Sequence, residues 1–216
     1  MDASNSQSAE VVIIGCSALL KEINALKNVN NWQHVAVEAI TAELHNRPEK
    51  IPAAVREKIE IAQAQGSKVF VAYGDCGTGG ELDVLLQEKS VTRIPGAHCY
   101  QFFAGDAVFD AIQEQELGTF YLTDFLARHF DRLVIRGLGL DKKPALKTIF
   151  FAHYKKLVYL AQTEDSQLQQ AAVNAAEILG LNYEYRFTGI GDMSTSIVRF
   201  VEGNAESVAE FKQQVA

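Results

Sequence analysis

Six side chains in this sequence have the types and the setting to do chemistry together. Three are cysteines, the only three in the 216-residue chain: Cys16 in "VVIIGC", Cys76 in "YGDCGTGG" and Cys99 in "GAHCY". The other three are His45 in "LHNRP", Asp75 beside Cys76, and His98 beside Cys99. Three thiolates, or two with a histidine, suit Zn²⁺ or another thiophilic metal and leave one position open for substrate or water. Cys16, Cys76 and Cys99 are therefore read as metal ligands. His45, Asp75 and His98 are read as acid/base groups, or as partners that orient the ligands. No C-x-x-C pair is present, so spacing alone carries little, and for any one cysteine the competing reading is a small buried hydrophobe. A metal-free alternative makes one cysteine a nucleophile with His98 or His45 as its base. Cys76, just ahead of a helix N-terminus, would have a favoured thiolate. That chemistry uses one cysteine and leaves two unexplained.

The stretch 73–80, "YGDCGTGG", also has the look of a phosphate cradle. A Walker loop needs a Lys-Ser or Lys-Thr after its last glycine, and a dinucleotide loop needs G-x-G-x-x-G straight after the strand. Here the glycines run into Glu81, no lysine is placed to reach a phosphate, and Asp75 and Glu81 would repel one. Gly77, Gly79 and Gly80 could still offer backbone N–H groups to an anionic cofactor at the helix N-terminus. The plain reading is a tight strand-to-helix turn that needs positive φ.

The elements that must position these residues alternate. Strands are expected at 10–16, 34–40, 68–74, 92–94 and in "LNYEYRFTG", as short β-branched or apolar runs. Helices are expected after Ser17, after Pro52 as far as Gly66, over "ELDVLLQEK", over "DAVFDAIQEQELG" and over 166–180, which is alanine-rich and stopped by Gly180. "TFYLTDFLARHF" starts as a strand and passes toward helix, 155–162 is a strand or a helix end, and "MSTSIVRF" is left as either. The fold class is α/β: a mainly parallel sheet flanked by helices in Rossmann-like layers. Strand C-terminal ends share one edge of such a sheet, so Cys16, Cys76, His98, Cys99 and His45 are expected to gather there. Residues 1–9 read as a disordered lead, 10–202 as one domain with a candidate subdomain seam near 137–144, and 203–216 as a tail. His34, His129, His153, Trp32, the remaining aromatics and the "TGIGDM" turn are read as structural.

Composition narrows the partners. The chain is 48% hydrophobic and 22% charged, which is ordinary for a globular protein, and its formal net charge is −7. No basic cluster exceeds the short "DKKP" and "YKKL" pieces, so neither nucleic acid nor an anionic membrane is expected as a partner. No apolar run reaches the roughly 18 residues of a membrane span. Dispersed cysteines, odd in number, fit thiols in a reducing cytoplasm better than a disulfide framework. A small-molecule substrate or ligand is expected, and homo-oligomerisation is open.

The motifs "IIGCSALLKEI", "LHNRPEKIP", "VAYGDCGTGG", "RIPGAHCYQFFAG", "GTFYLTDFL" and "YKKLVYLAQT", in that order over roughly 10 to 190, resemble the DUF1638 family. The family pattern has a cysteine in the first strand, a Leu-His pair before a proline, a Tyr-Gly-x-Cys-Gly loop, and a histidine beside a cysteine. These positions are Cys16, His45, Cys76, and His98 with Cys99. Many members place an aspartate between that histidine and cysteine. Here the two are adjacent, which shifts Cys99 by one residue, and Asp75 stands where many members carry an apolar residue. The resemblance implies an association with corrinoid-dependent methyl transfer and is compatible with a zinc-thiolate site. The expected function is a cytoplasmic metal-binding enzyme, with zinc as the metal and thiol or methyl transfer as the reaction, and a corrinoid methyl-transfer component as a partner. The alternatives are a non-catalytic metal, corrinoid or small-ligand carrier and the metal-free cysteine enzyme.

Overall fold

The computed structural model describes residues 9–203. The segments expected as a lead (1–8 of it) and as a tail (beyond 203) lie outside the described residues. The chain forms two compact units, one from the residues up to Ala97 together with those from Ser194 onward, the other from His98–Met193. The seam expected near 137–144 lies inside the second unit.

In the first unit, β1 (Val11–Cys16), β2 (Val35–Ile40), β3 (Lys68–Ala72) and β4 (Thr92–Arg93) make a parallel sheet of order β2-β1-β3-β4. β1 is buried at all six positions, as a central strand covered on both faces requires. α1 (Leu20–Val29) carries the chain outward from β1 to β2. α2 (Ile51–Ala64) then crosses back to β3, and α3 (Glu81–Glu88) continues in that direction to β4. Right-handed crossovers place α1 on one face and α2 and α3 on the other. Gly15 permits the fit of α1 over the end of β1, since a Cβ there would lie 2.9 Å from Ile23 Cδ1 and 3.5 Å from Ala72 Cβ.

In the second unit, α4 (Cys99–Ala104) and α5 (Asp106–Gln115) precede β5 (Thr119–Thr123), α6 (Asp124–Arg128), a single π-helical turn (Asp131–Arg136) and α7 (Leu146–Phe150). β6 (Lys156–Ala161), α8 (Ser166–Leu179) and β7 (Asn182–Phe187) complete a second all-parallel sheet of order β5-β6-β7. Alternation along β6 feeds both faces. Leu157, Tyr159 and Ala161 pack with Ala172, Ala175 and Leu179 of α8, while Val158 and Leu160 pack with Phe109 and Ile112 of α5. α8 starts where the Asp165 carboxylate accepts the N–H groups of Gln167 and Leu168, and stops at Gly180 in the left-handed region.

α9 (Met193–Glu202) belongs to the first unit from Ser194 onward. Phe200 stacks on Phe70 of β3 with centroids 4.7 Å apart, and the Trp32 indole N–H donates to Glu202 at 3.0 Å, so α9 lies beside α1 on one sheet face. No helix among the described residues is long and apolar enough to cross a membrane.

The parallel α/β class read from the sequence is present, built as two sheets where one was expected. After two strand residues the chain turns at Pro95-Gly96 and starts α4, a helix the sequence reading did not anticipate.

Candidate active site

The first sheet reverses direction between β1 and β3: the chain leaves β1 toward one edge and β3 toward the other. In open α/β sheets the crevice beyond the strand C-termini at such a switch point is where ligands bind. Cys16 is the last residue of β1, and Gly15 pairs with Ala72, the last residue of β3. Tyr73, Gly74, Asp75 and Cys76 follow directly. Cys16 and Cys76 come close enough to interact electrostatically, and the Tyr73 hydroxyl and the Ala18 N–H both donate to the Cys16 sulfur. β2 exits to the same place. The Ala42 N–H donates to Ser17 Oγ at 2.9 Å, and the 3₁₀ turn Ala42–Asn46 that follows carries His45 on an exposed surface. Pro48, just beyond, lies 3.6 Å from where a Gly77 Cβ would stand. The exits of three strands thus form one edge holding Cys16, Cys76 and the His45 turn.

Asp75 builds the loop that presents Cys76. Its Oδ1 accepts the Thr78 hydroxyl at 2.6 Å and the Gly80 N–H at 2.9 Å, and its Oδ2 accepts the N–H groups of Gly77 at 3.2 Å and Gly79 at 3.3 Å. The glycine N–H groups that could have cradled an anionic cofactor already have an anion, the loop's own carboxylate. Burial works to raise the Asp75 pKa, but the Thr78 hydroxyl and the three glycine N–H groups outweigh it and hold the acid below the ordinary carboxylate range. Gly77, Gly79 and Gly80 all take positive φ, between 65° and 89°, as this wrapping demands.

Cys76 shares that left-handed conformation at φ 49°, which is costly for a residue with a Cβ. The surroundings hold it there. Its N–H donates to Ala97 O at 2.8 Å, and the Asp75 N–H donates to Gly96 O at 3.3 Å. That 94–97 turn is itself clamped by Arg93, which donates to the carbonyls of Ile94 (2.7 Å) and Gly96 (3.0 Å) while forking onto the Asp83 carboxylate at 2.6 and 2.9 Å. Arg93 was not singled out from the sequence. Its signal was an arginine two residues before the Pro95-Gly96 turn, with a carboxylate, Asp83, on the preceding helix.

Burial pushes the Cys16 thiol up to about 11, and the neighbouring Cys76 adds to the shift, against the lowering effect of the Ala18 N–H and the Tyr73 hydroxyl. Cys16 is therefore a protonated thiol near neutral pH whose surroundings already include donors for a thiolate. His98 and Cys99 fall in the second unit, with Cys99 buried at the start of α4 and His98 directly before it. His98 Nδ1 is buried without a hydrogen-bond partner among the described residues. Among the described residues no three His, Cys, Asp or Glu side chains stand together as a metal-binding group. The site that the structure brings together is the Cys16–Cys76 pair with Tyr73.

A cleft of about 400 Å³ opens elsewhere in the first unit, between β4 and α9, with Thr92, Pro95, Ser196 and Arg199 on its walls and the Phe70–Phe200 stack at its base. In the second unit a buried carboxylate was also missed from the sequence. Asp124 accepts the Tyr159 hydroxyl at 2.8 Å, the Gln162 N–H at 3.0 Å and the Thr163 hydroxyl at 2.6 Å, tying the end of β5 to the end of β6. Every partner is internal, so its role is structural.

No curated protein matches this chain. Among solved structures, ornithine carbamoyltransferase from Pyrococcus furiosus aligns at 12% identity and a TM-score of 0.28, over 83% of this chain. The chain spans about half of that protein, 54% of its length. A family model described as a protein of unknown function, DUF1638, matches residues 39–197, a span that includes Cys76, His98 and Cys99 and begins after Cys16. That match covers most of the chain, and the protein belongs to the DUF1638 family.

Proposed function

We propose that the Cys16–Cys76 pair binds a thiophilic metal ion, zinc first among them, and that the protein uses it in thiol or methyl transfer. The observation that carries this reading is the meeting of two buried cysteines from the exits of β1 and β3 at the sheet's switch point. The donor set fits such an ion in kind: two sulfurs are soft ligands, and a cation beside them would offset the burial that keeps the Cys16 thiol protonated. Two protein sulfurs leave further positions of a tetrahedral ion for other ligands. His45, exposed on the turn that follows β2, is the proposed acid/base group. When bound, the metal would lower the pKa of an incoming thiol and make it a nucleophile. The chain's own part is to hold Cys76 in its left-handed pose through Asp75 and the 94–97 turn, and to keep bulk water from the sulfurs.

A non-catalytic carrier of metal, corrinoid or small ligand is the second reading, and the burial of both cysteines favours it. The two readings separate on turnover.

Metal analysis of the protein purified without added metal tests the proposal. The expected result is about one zinc per chain, lost in Cys16→Ser and in Cys76→Ser. Cys99→Ser, measured alongside, reports on the third cysteine. Metal well below stoichiometric and unchanged by Cys76→Ser overturns the reading.

A further inference from the structure

The thiol reading makes no use of the cleft of about 400 Å³ between β4 and α9, which lies wholly in the first unit and has the size of a small-molecule pocket. One wall comes from α9. Ser196, Arg199 and Phe200 stand at i, i+3 and i+4, so they share one face of that helix. Ile197 and Val198, beside them in the chain, are buried and anchor the wall. The opposite wall is the edge strand β4 and the turn after it, with Thr92, Arg93 and Pro95. Arg93 makes this wall firm by holding the carbonyls of Ile94 and Gly96 and the Asp83 carboxylate at once. At the base Phe70 and Phe200 stack with centroids 4.7 Å apart.

The chemistry of the walls says what fits between them. Although the chain has a net charge of −7, no aspartate or glutamate among the described residues lines the cleft. The charge of Arg93 is met by Asp83, but no carboxylate among the described residues pairs with the Arg199 guanidinium. The Thr92 and Ser196 hydroxyls likewise have no hydrogen-bond partner among the described residues. An unpaired cation and two unused hydroxyl donors over an aromatic floor call for two features in one molecule, an oxyanion and a flat apolar body. A guanidinium fork matches the paired oxygens of a carboxylate or a phosphate, and aromatic rings take a flat ring by stacking. We infer that this cleft binds a small organic anion, a carboxylate or phosphate ester carried on a flat ring, with the oxyanion at Arg199 and the ring against Phe200 and Pro95. The inference is independent of metal binding at the Cys16–Cys76 pair.

Titration of the full chain with benzoate and with phenyl phosphate, followed through its backbone amide signals in ¹H–¹⁵N spectra, tests it, with phenol as the uncharged control. The expected result is a saturable shift of the Thr92, Ser196 and Phe200 signals with at least one of the two anions, and binding of phenol weaker by about 10-fold or more. The tighter of the two anions tells a carboxylate ligand from a phosphate ester. Arg199→Gln, at an exposed position, keeps the circular dichroism spectrum, weakens that anion by about 10-fold and leaves phenol unchanged. The absence of a saturable shift with both anions overturns the inference. So does a shift confined to amides away from the cleft, phenol binding as tightly as the anions, or an anion affinity untouched by Arg199→Gln.

Discussion

Asp75 Oδ1 lies 2.9 Å from the backbone nitrogen of Gly80, closing a loop of six residues around one carboxylate. Each N–H to a charged acceptor contributes on the order of 1.5 to 3 kcal/mol, less here because the loop is partly open to solvent. Asp75→Ala is expected to destabilise the protein by about 2 kcal/mol and to release Cys76 from its left-handed pose. Asp75→Asn, which keeps an acceptor oxygen, loses less. Urea unfolding of the three proteins orders them, and equal midpoints would refute the loop's dependence on Asp75.

The same carboxylate fixes an acid dependence. Its folded pKa is depressed, so the stability it contributes is present above the unfolded value near 4 and is lost as pH falls through the lower folded value. Stability measured against pH should fall less steeply over that acid range in Asp75→Asn than in wild type.

Cys16 gives the opposite sign at the other end of the scale. Its folded pKa is raised to about 11, so its contribution is present below the unfolded thiol value of about 9 and is lost as pH climbs through 11. Iodoacetamide should leave Cys16 unmodified at neutral pH in metal-free protein and label it progressively as pH approaches 11. Mass mapping of the labelled cysteines decides this, and fast labelling of Cys16 at neutral pH contradicts its burial.

Asp124 is a buried carboxylate of the second unit with three donors on it. Removing a buried carboxylate strands the Tyr159 and Thr163 hydroxyls and the Gln162 N–H together. Asp124→Ala is expected to cost about 3 to 5 kcal/mol, measured as a fall in the unfolding midpoint. Tyr159→Phe, which removes one donor and leaves the others, costs about 1 kcal/mol.

Gly118 is sterically pinned. A Cβ there would fall 2.2 Å from the backbone oxygen of His153, an atom that cannot swing aside as a side-chain tip could. Gly118→Ala is therefore expected to destabilise by about 1 to 3 kcal/mol through overpacking.

Much of this was legible from local pattern. The β-branched run ending in Cys16, the apolar stretch before Tyr73 and the alanine-rich α8 follow from period and capping alone. That Cys16 and Cys76 stand at one sheet edge follows from two adjacent parallel strands ending there. The short strand at 92–94 was legible too, but pattern could not show that a helix of a second unit would follow it. Two strand residues and a Pro-Gly turn decide that Cys99 starts a helix of the second unit, and no hydrophobic periodicity marks that choice. Nor does pattern show where the loop's hydrogen bonds end. Asp75 next to Cys76 looked like a reactive carboxylate, yet its oxygens are engaged by Thr78 and three glycines, an arrangement set by backbone angles that the sequence only permits.

The return of α9 to the first sheet has a consequence for how the chain acquires its structure. The Trp32–Glu202 bond joins residues 170 apart, and the Phe70–Phe200 stack also spans the whole second unit in sequence. The second unit is one unbroken stretch and can form as soon as it leaves the ribosome. The first is interrupted, and Trp32 and Phe70 must wait for α9 to be synthesised. Until then Phe70 lacks its ring partner, so the unit that carries Cys16 and Cys76 is the later of the two to mature.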